Sequence, residues 1–179
     1  MGIEKAGAGR LGARLSCQEV KQIMIGLYTI DPDYCDMLRK TDFRVPMVRG
    51  GKERRPFVGV VLSINNHIYY APLSSPKSKH ANMNNQVDMM KIAGGKYGVI
   101  NFNNMIPVKK IFLAKINLKP VENDSGKDID YKAMLVNQLD WCEKNEEWIR
   151  KTAYQLYKLL RTQYAGKALK KRCCDFKKL

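Results

Sequence analysis

The chain has 179 residues, 45% of them hydrophobic and 27% charged, enough for one domain with a sizeable core and too apolar for a disordered polymer. Lys and Arg total 32 against 17 Asp and Glu, a formal net charge of +15. No run of about 18 apolar residues occurs and the first residues lack the apolar stretch of a secretory signal, so neither a membrane span nor export is expected.

Residues 1–24, rich in Gly, Ala and Arg and without a stable period, read as an N-terminal extension: a disordered arm or translation from an upstream start. Residues 25–179 read as one domain. Ile25–Ile30 is a short apolar strand. Asp31 or Asp33 then caps a short helix, with Pro32 near its first turn and Tyr34, Met37 and Leu38 on its inner face. Residues 41–55 form a polar, basic loop. A long strand follows from Phe57 to Ile64, with Asn65–Asn66 as its turn and His67–Leu73 as the returning strand. This hairpin carries Ser74, Ser75, Pro76 and Lys77 to its open end, beside the Arg54–Arg55 entry. His80 falls in what reads as a polar loop. Further strands are expected at Val87–Ile92, Gly98–Asn101 and Lys110–Asn117, with Gly94–Gly95 as a turn and Met105–Val108 as an element edge. Pro120–Asp130 is expected as loop, and residues 131–164 as helix in one or two pieces. Short strands first and long helices last predict an α+β domain.

The charge is clustered. Between Lys40 and Lys79, Lys40, Arg44, Arg49, Lys52, Arg54, Arg55, Lys77 and Lys79 meet only Asp42 and Glu53, and between Lys158 and Lys178 the basic residues meet only Asp175. Segregation of this kind presents basic faces to a polyanion and favours a nucleic-acid partner. The chemistry available at the hairpin mouth fits RNA cleavage without a metal. The ribose 2′-hydroxyl attacks its own phosphodiester, leaving a 2′,3′-cyclic phosphate, and the protein must align the reacting oxygens and stabilise the charge of the phosphorane. Ser-Ser-Pro-Lys next to an arginine pair supplies such donors, with His80 and Tyr34 as candidate proton handlers. Other chemistries are poorly represented. His67 and His80 are the only histidines, and no metal-ligand spacing, P-loop or G-x-S-x-G elbow occurs. The five cysteines are Cys17, Cys35, Cys142, Cys173 and Cys174; an odd count without C-x-x-C predicts neither disulfides nor zinc and suits a reducing cytoplasm. No cofactor is expected.

The residues at and around the hairpin carry a family resemblance. Leu27-Tyr28-Thr29-Ile30, Arg55-Pro56-Phe57-Val58-Gly59-Val60-Val61-Leu62, Tyr70-Ala71-Pro72-Leu73-Ser74-Ser75-Pro76-Lys77, Gly98-Val99-Ile100-Asn101, Met105-Ile106-Pro107-Val108 and Tyr131-Lys132 occur in an order that resembles the ToxN/AbiQ family of type III toxin–antitoxin endoribonucleases. The resemblance runs over about residues 25–160. It implies a strongly twisted antiparallel β-sheet or partial barrel with flanking helices, similar to the MazF/PemK toxins. It also implies cleavage of cellular RNA, phage defence, and inhibition by a repeat-derived pseudoknot RNA antitoxin. The toxin would cut that RNA from its own precursor and close with it into a cyclic assembly. By the same resemblance Ser75 is the critical hydroxyl, Lys77 neutralises the phosphorane, and Ser74, Tyr34 and Arg55 complete the catalytic set. Arg55 stands where relatives carry Lys; it keeps the charge but cannot act as a base. Arg54, Arg55, Lys52, Lys79 and His80 are the expected RNA-binding residues, and no residue is expected to bind a metal.

Two other readings fit the composition. A non-catalytic RNA- or DNA-binding module needs the basic faces but not the Ser75–Lys77 arrangement. A structural or ribosome-associated basic protein predicts no toxicity on expression.

Overall fold

The structure, a computed structural model, describes residues 25–179. The extension read for residues 1–24 lies outside the described residues.

Strand β1 (Gly26–Ile30) leads directly into helix α1 (Pro32–Thr41). Asp31 is the cap: its carboxylate accepts from the Tyr34 N–H at 3.0 Å, and Pro32 occupies the first turn, where a missing N–H costs nothing. Tyr34 and Leu38 face inward, but Met37 is 51% exposed, so the expected inner face is narrower than Tyr34–Met37–Leu38. Strands β2 (Phe57–Ile64) and β3 (His67–Ser74) form the central hairpin. Asn65 and Asn66 both hold positive φ, 50° and 61°, the conformation a two-residue turn between right-twisted strands requires. Ile64 pairs with His67 and Phe57 with Pro72, but between Leu62↔Tyr69 and Val58↔Ala71 β2 advances four residues while β3 advances two. This bulge bends the hairpin. Gly59 lies within it, where an added Cβ would sit 2.0 Å from the Tyr70 ring.

The remaining strands are β4 (Met89–Lys91), β5 (Val99–Asn101), β6 (Ile106–Pro107) and β7 (Leu113–Lys115). They join an antiparallel seven-stranded sheet in the order β4-β5-β3-β2-β1-β7, with β6 also on β3. The sheet is twisted and open rather than closed into a barrel. Two expected strands are shorter than their sequence patterns. Val87–Ile92 contracts to β4, because Gln86 and Met89 close a tight bridge and Ile92–Gly95 turns into a 3₁₀ segment. Lys110–Asn117 contracts to β7, because residues 110–112 form a 3₁₀ turn that returns Phe112 to accept from the Asp31 N–H.

Helix α2 (Ser78–Asn82) stands where a polar loop was expected. Helix α3 (Gly126–Lys144) begins inside the expected Pro120–Asp130 loop. Ser125 and Asp128 form a reciprocal capping box that starts it early. Asn145 separates α3 from α4 (Glu146–Leu160). Ile149, Ala153, Leu156 and Tyr157 form the buried stripe of α4, which lies across β2, so Phe57–Leu62 is buried continuously rather than alternately. After α5 (Lys167–Arg172) the chain returns to the sheet, where Phe176 stacks on Tyr157 at 5.9 Å and meets Tyr69 edge-on.

Candidate active site

The open end of the hairpin forms the site. The Leu73 N–H donates to Pro56 O at 2.8 Å, which holds the end of β3 against the segment entering β2. Helix α3 ties the same segment down from outside, through the Tyr131 hydroxyl donating to Arg54 O at 3.0 Å. Between them lies a cleft of about 420 Å³ lined by Lys52, Arg54, Arg55, Ser74, Ser75, Lys77 and Tyr131. Residues that are about twenty positions apart in the chain therefore meet at one surface.

The two arginines differ. Arg54 is exposed, its guanidinium bonds Asp128 at 2.7 Å and lies 5.2 Å over the Tyr131 ring. The Ser125 hydroxyl and Arg54 together push the Asp128 carboxyl down to about 2. Arg55 is half-buried, and no carboxylate pairs with it among the described residues. Burial pulls its pKa down, but a guanidinium remains protonated. A desolvated cation with no counter-ion is costly unless an anion joins it.

Ser74 is half-buried, and its hydroxyl accepts from Asn101 Nδ2 at 2.9 Å. Ser75 and Lys77 are exposed at the mouth. The backbone of Lys77 is fixed from both sides by His80, whose N–H donates to Lys77 O at 2.8 Å and whose Nδ1 faces the Lys77 N–H at 3.2 Å. His80 itself is buried, packed so closely against Gly95 that an added Cβ there would lie 2.8 Å from His80 O. Burial, then the charges of Lys79 and Lys77, lower the His80 pKa. A lowered pKa favours the neutral ring, whose Nδ1 accepts from the Lys77 N–H. This arrangement gives His80 a framework part rather than a place on the cleft surface.

Two further expected residues stand apart from the cleft. Tyr34 lines a second, more apolar cavity with Asn66, His67 and Pro107; its ring stacks on Phe112 at 4.3 Å and its hydroxyl donates to Pro107 O at 2.8 Å. Lys79 is exposed on α2, outside the lining. Two residues at the site were given no role from the sequence: Tyr131, read as the opening of the long helix, and Asn101, read as strand. The signal for Tyr131 was its i+3 spacing from Asp128, which puts ring and carboxylate on one face of the first turns of α3.

Among the described residues no three His, Cys, Asp or Glu side chains gather as metal ligands, and no helix is long and apolar enough to cross a membrane. What the cleft offers is a set of hydroxyl, ammonium and guanidinium donors around a space that can admit a phosphate.

Comparison with known proteins places the chain. The family model "Toxin ToxN, type III toxin-antitoxin system" matches residues 26–179. Endoribonuclease ToxN of Bacillus thuringiensis subsp. kurstaki is 31% identical over 156 residues, 85% of this chain and 79% of its own length. Endoribonuclease ToxN of Pectobacterium atrosepticum is 32% identical over 130 residues, 68% of this chain and 73% of its own. A solved structure described as showing selective toxin inhibition by a non-coding RNA pseudoknot in a type III toxin–antitoxin system superposes with a TM-score of 0.72. It has 30% sequence identity, and the match covers 88% of this chain and 94% of that one. The chain belongs to the ToxN family of toxins of type III toxin–antitoxin systems.

Proposed function

We propose that this toxin is an endoribonuclease that cuts cellular RNA at the Arg55–Ser75–Lys77 cleft, by attack of a ribose 2′-hydroxyl on the adjacent phosphodiester. The products are a 2′,3′-cyclic phosphate and a 5′-hydroxyl. The observation that carries the reading is half-buried Arg55, without a carboxylate partner among the described residues and lining the same cleft as Ser74, Ser75 and Lys77. Arg55 holds the scissile phosphate. Ser75 and Ser74 donate to its non-bridging oxygens, and Lys77 neutralises the charge that grows as the phosphorane forms. Arg54, Lys52 and Tyr131 flank the strand, Tyr131 offering a ring on which a base can stack. The reaction takes place in the cytoplasm, where cellular RNA is found.

The inhibitor is an RNA pseudoknot antitoxin, which the toxin cuts from a repeated precursor and then binds in a cyclic assembly. Family membership and the similar structure concerned with pseudoknot inhibition support this, as does the formal +15 charge.

Cleavage of a labelled RNA by Ser75→Ala and Lys77→Ala variants tests the site. Each is expected to lose on the order of 100-fold in rate, as loss of one transition-state donor does, while still binding RNA. Full activity in both would remove the cleft from the mechanism.

A further inference from the structure

The segment Gly98-Val99-Ile100-Asn101 lies behind the cleft lining and reaches it only through Asn101. Its last three residues are β5, which pairs with the end of β3, Ser74 opposite Val99 and Leu73 opposite Ile100. The Asn101 side chain folds back over this junction, with Nδ2 3.2 Å from Pro72 O and 2.9 Å from Ser74 Oγ. A carbonyl oxygen can only accept. The Asn101 atom facing Pro72 O is therefore the amino group and not the amide oxygen, which settles an orientation that often has to be assigned from the surrounding network. The same amino group faces Ser74 Oγ and can only donate, so the hydroxyl accepts. A serine hydroxyl carries one proton. With a lone pair engaged from behind by Asn101, and no acceptor for that proton among the described residues, the Ser74 O–H is left to the open side, which is the cleft.

We infer that Asn101 is a positioning residue for RNA cleavage, holding the Ser74 hydroxyl as a donor toward the scissile phosphate. An acceptor in the place of Asn101 would draw the Ser74 proton inward and turn lone pairs toward the phosphate oxygens. Gly98 makes the arrangement sterically attainable. Its φ is +96°, and a Cβ there would lie 1.9 Å from Ser74 O, so a side chain would push β5 away from Ser74. The inference rests on the cleft being the cleavage site.

The test is a double-mutant cycle. Single-turnover cleavage of a labelled mixed-sequence RNA oligonucleotide is measured for Asn101→Ala and Asn101→Asp, each with Ser74 intact and with Ser74→Ala, alongside RNA affinity and melting temperature. With Ser74 present, Asn101→Asp is expected to slow cleavage on the order of 100-fold, because the carboxylate reverses the hydroxyl. Asn101→Ala is expected to slow it about 10-fold, because the hydroxyl is merely released. RNA affinity is expected to stay within about 3-fold of wild type, since the binding cations are untouched. In the Ser74→Ala background neither substitution is expected to cost more than about 2-fold, since the group it acts through is gone. Equal losses with and without Ser74 would overturn the inference and assign Asn101 to the fold. If Asn101→Asp does not fold, the Asn101→Ala cycle decides by itself. Full cleavage by Ser74→Ala alone would also overturn the inference, whereas full cleavage by both Ser75→Ala and Lys77→Ala would instead mark a failure of the cleft reading on which it rests.

Discussion

The two basic regions of the chain carry similar charge and differ in where their carboxylates stand. Where the last segment of the chain packs back on the fold, Arg44 of the first basic stretch and Arg172 of the second are each paired with a buried aspartate. Arg44 forms a two-point pair with Asp42, bonding at 2.7 and 2.9 Å, and also donates to Lys170 O at 2.7 Å, while Asp42 accepts from the Asp175 N–H at 2.6 Å. Arg172 pairs with Asp88, whose side chain is 4% exposed. These cations tie the last segment of the chain to the loop after α1 and to the β4 edge. At the cleft, Arg54 is held by Asp128 but Arg55 has no such partner among the described residues. A basic cluster becomes a fastening where aspartates close it, and stays open to an anion where one guanidinium has no carboxylate partner.

That contrast can be broken most directly at Arg55. Arg55→Ala is expected to lower RNA cleavage by on the order of 100-fold and to reduce the salt slope of RNA binding by about one. It should leave the melting temperature unchanged or higher, since an uncompensated charge is removed. A fall in stability without a fall in cleavage would reverse the assignment of the two regions. Arg55→Lys should retain much of the binding, because the phosphate still meets a cation. Arg44→Ala is the mirror experiment. It leaves Asp42 buried without its cation and should cost about 3 kcal/mol in denaturant unfolding, the low end for a broken buried pair. Two backbone N–H groups still serve the carboxylate there. Cleavage per folded molecule should not change.

Arg54→Ala should fall between these. The exposed guanidinium is already engaged by Asp128, so a loss of only a few-fold in RNA affinity is expected in a salt-dependent binding assay. The smallest effect concerns pH. The Asp128 carboxyl sits at about 2 in the folded chain, against about 4 when unfolded. The unfolded state then binds more protons between those values. The contribution of Asp128 to stability is present above about pH 4 and disappears as pH falls toward 2. Melting temperatures across that window should decline less steeply for Asp128→Asn than for wild type.

The hairpin was legible because it rests on local rules. An apolar run, an Asn-Asn turn and a single proline-bounded entry fix strand, turn and return within about twenty residues, and so bring Ser74–Lys77 beside Arg54–Arg55. Helix α3 started earlier than its apolar stripe suggested because Ser125 and Asp128 cap one another through polar atoms, which a hydrophobic period does not register. The burial of His80, expected in a polar loop, was hidden for a related reason. Its burial comes from Gly95, which is remote in sequence and approaches closely only once β4 and β5 have paired. Tyr34 was grouped with the cleft on resemblance, and the structure sets it beside Phe112 and Pro107 instead.

By itself the sequence determined the α+β class, the central hairpin, the excess of positive charge and the family, since all of these depend on residue order or composition over short stretches. Only the tertiary structure decided which cations are neutralised, which hydroxyl is held from behind and which histidine is sealed. Each of those depends on partners from distant segments: Asp128 for Arg54, Asn101 for Ser74, Asp88 for Arg172. An ion pair or hydrogen bond acts over a few ångströms of space, and only the packed sheet and helices set those distances.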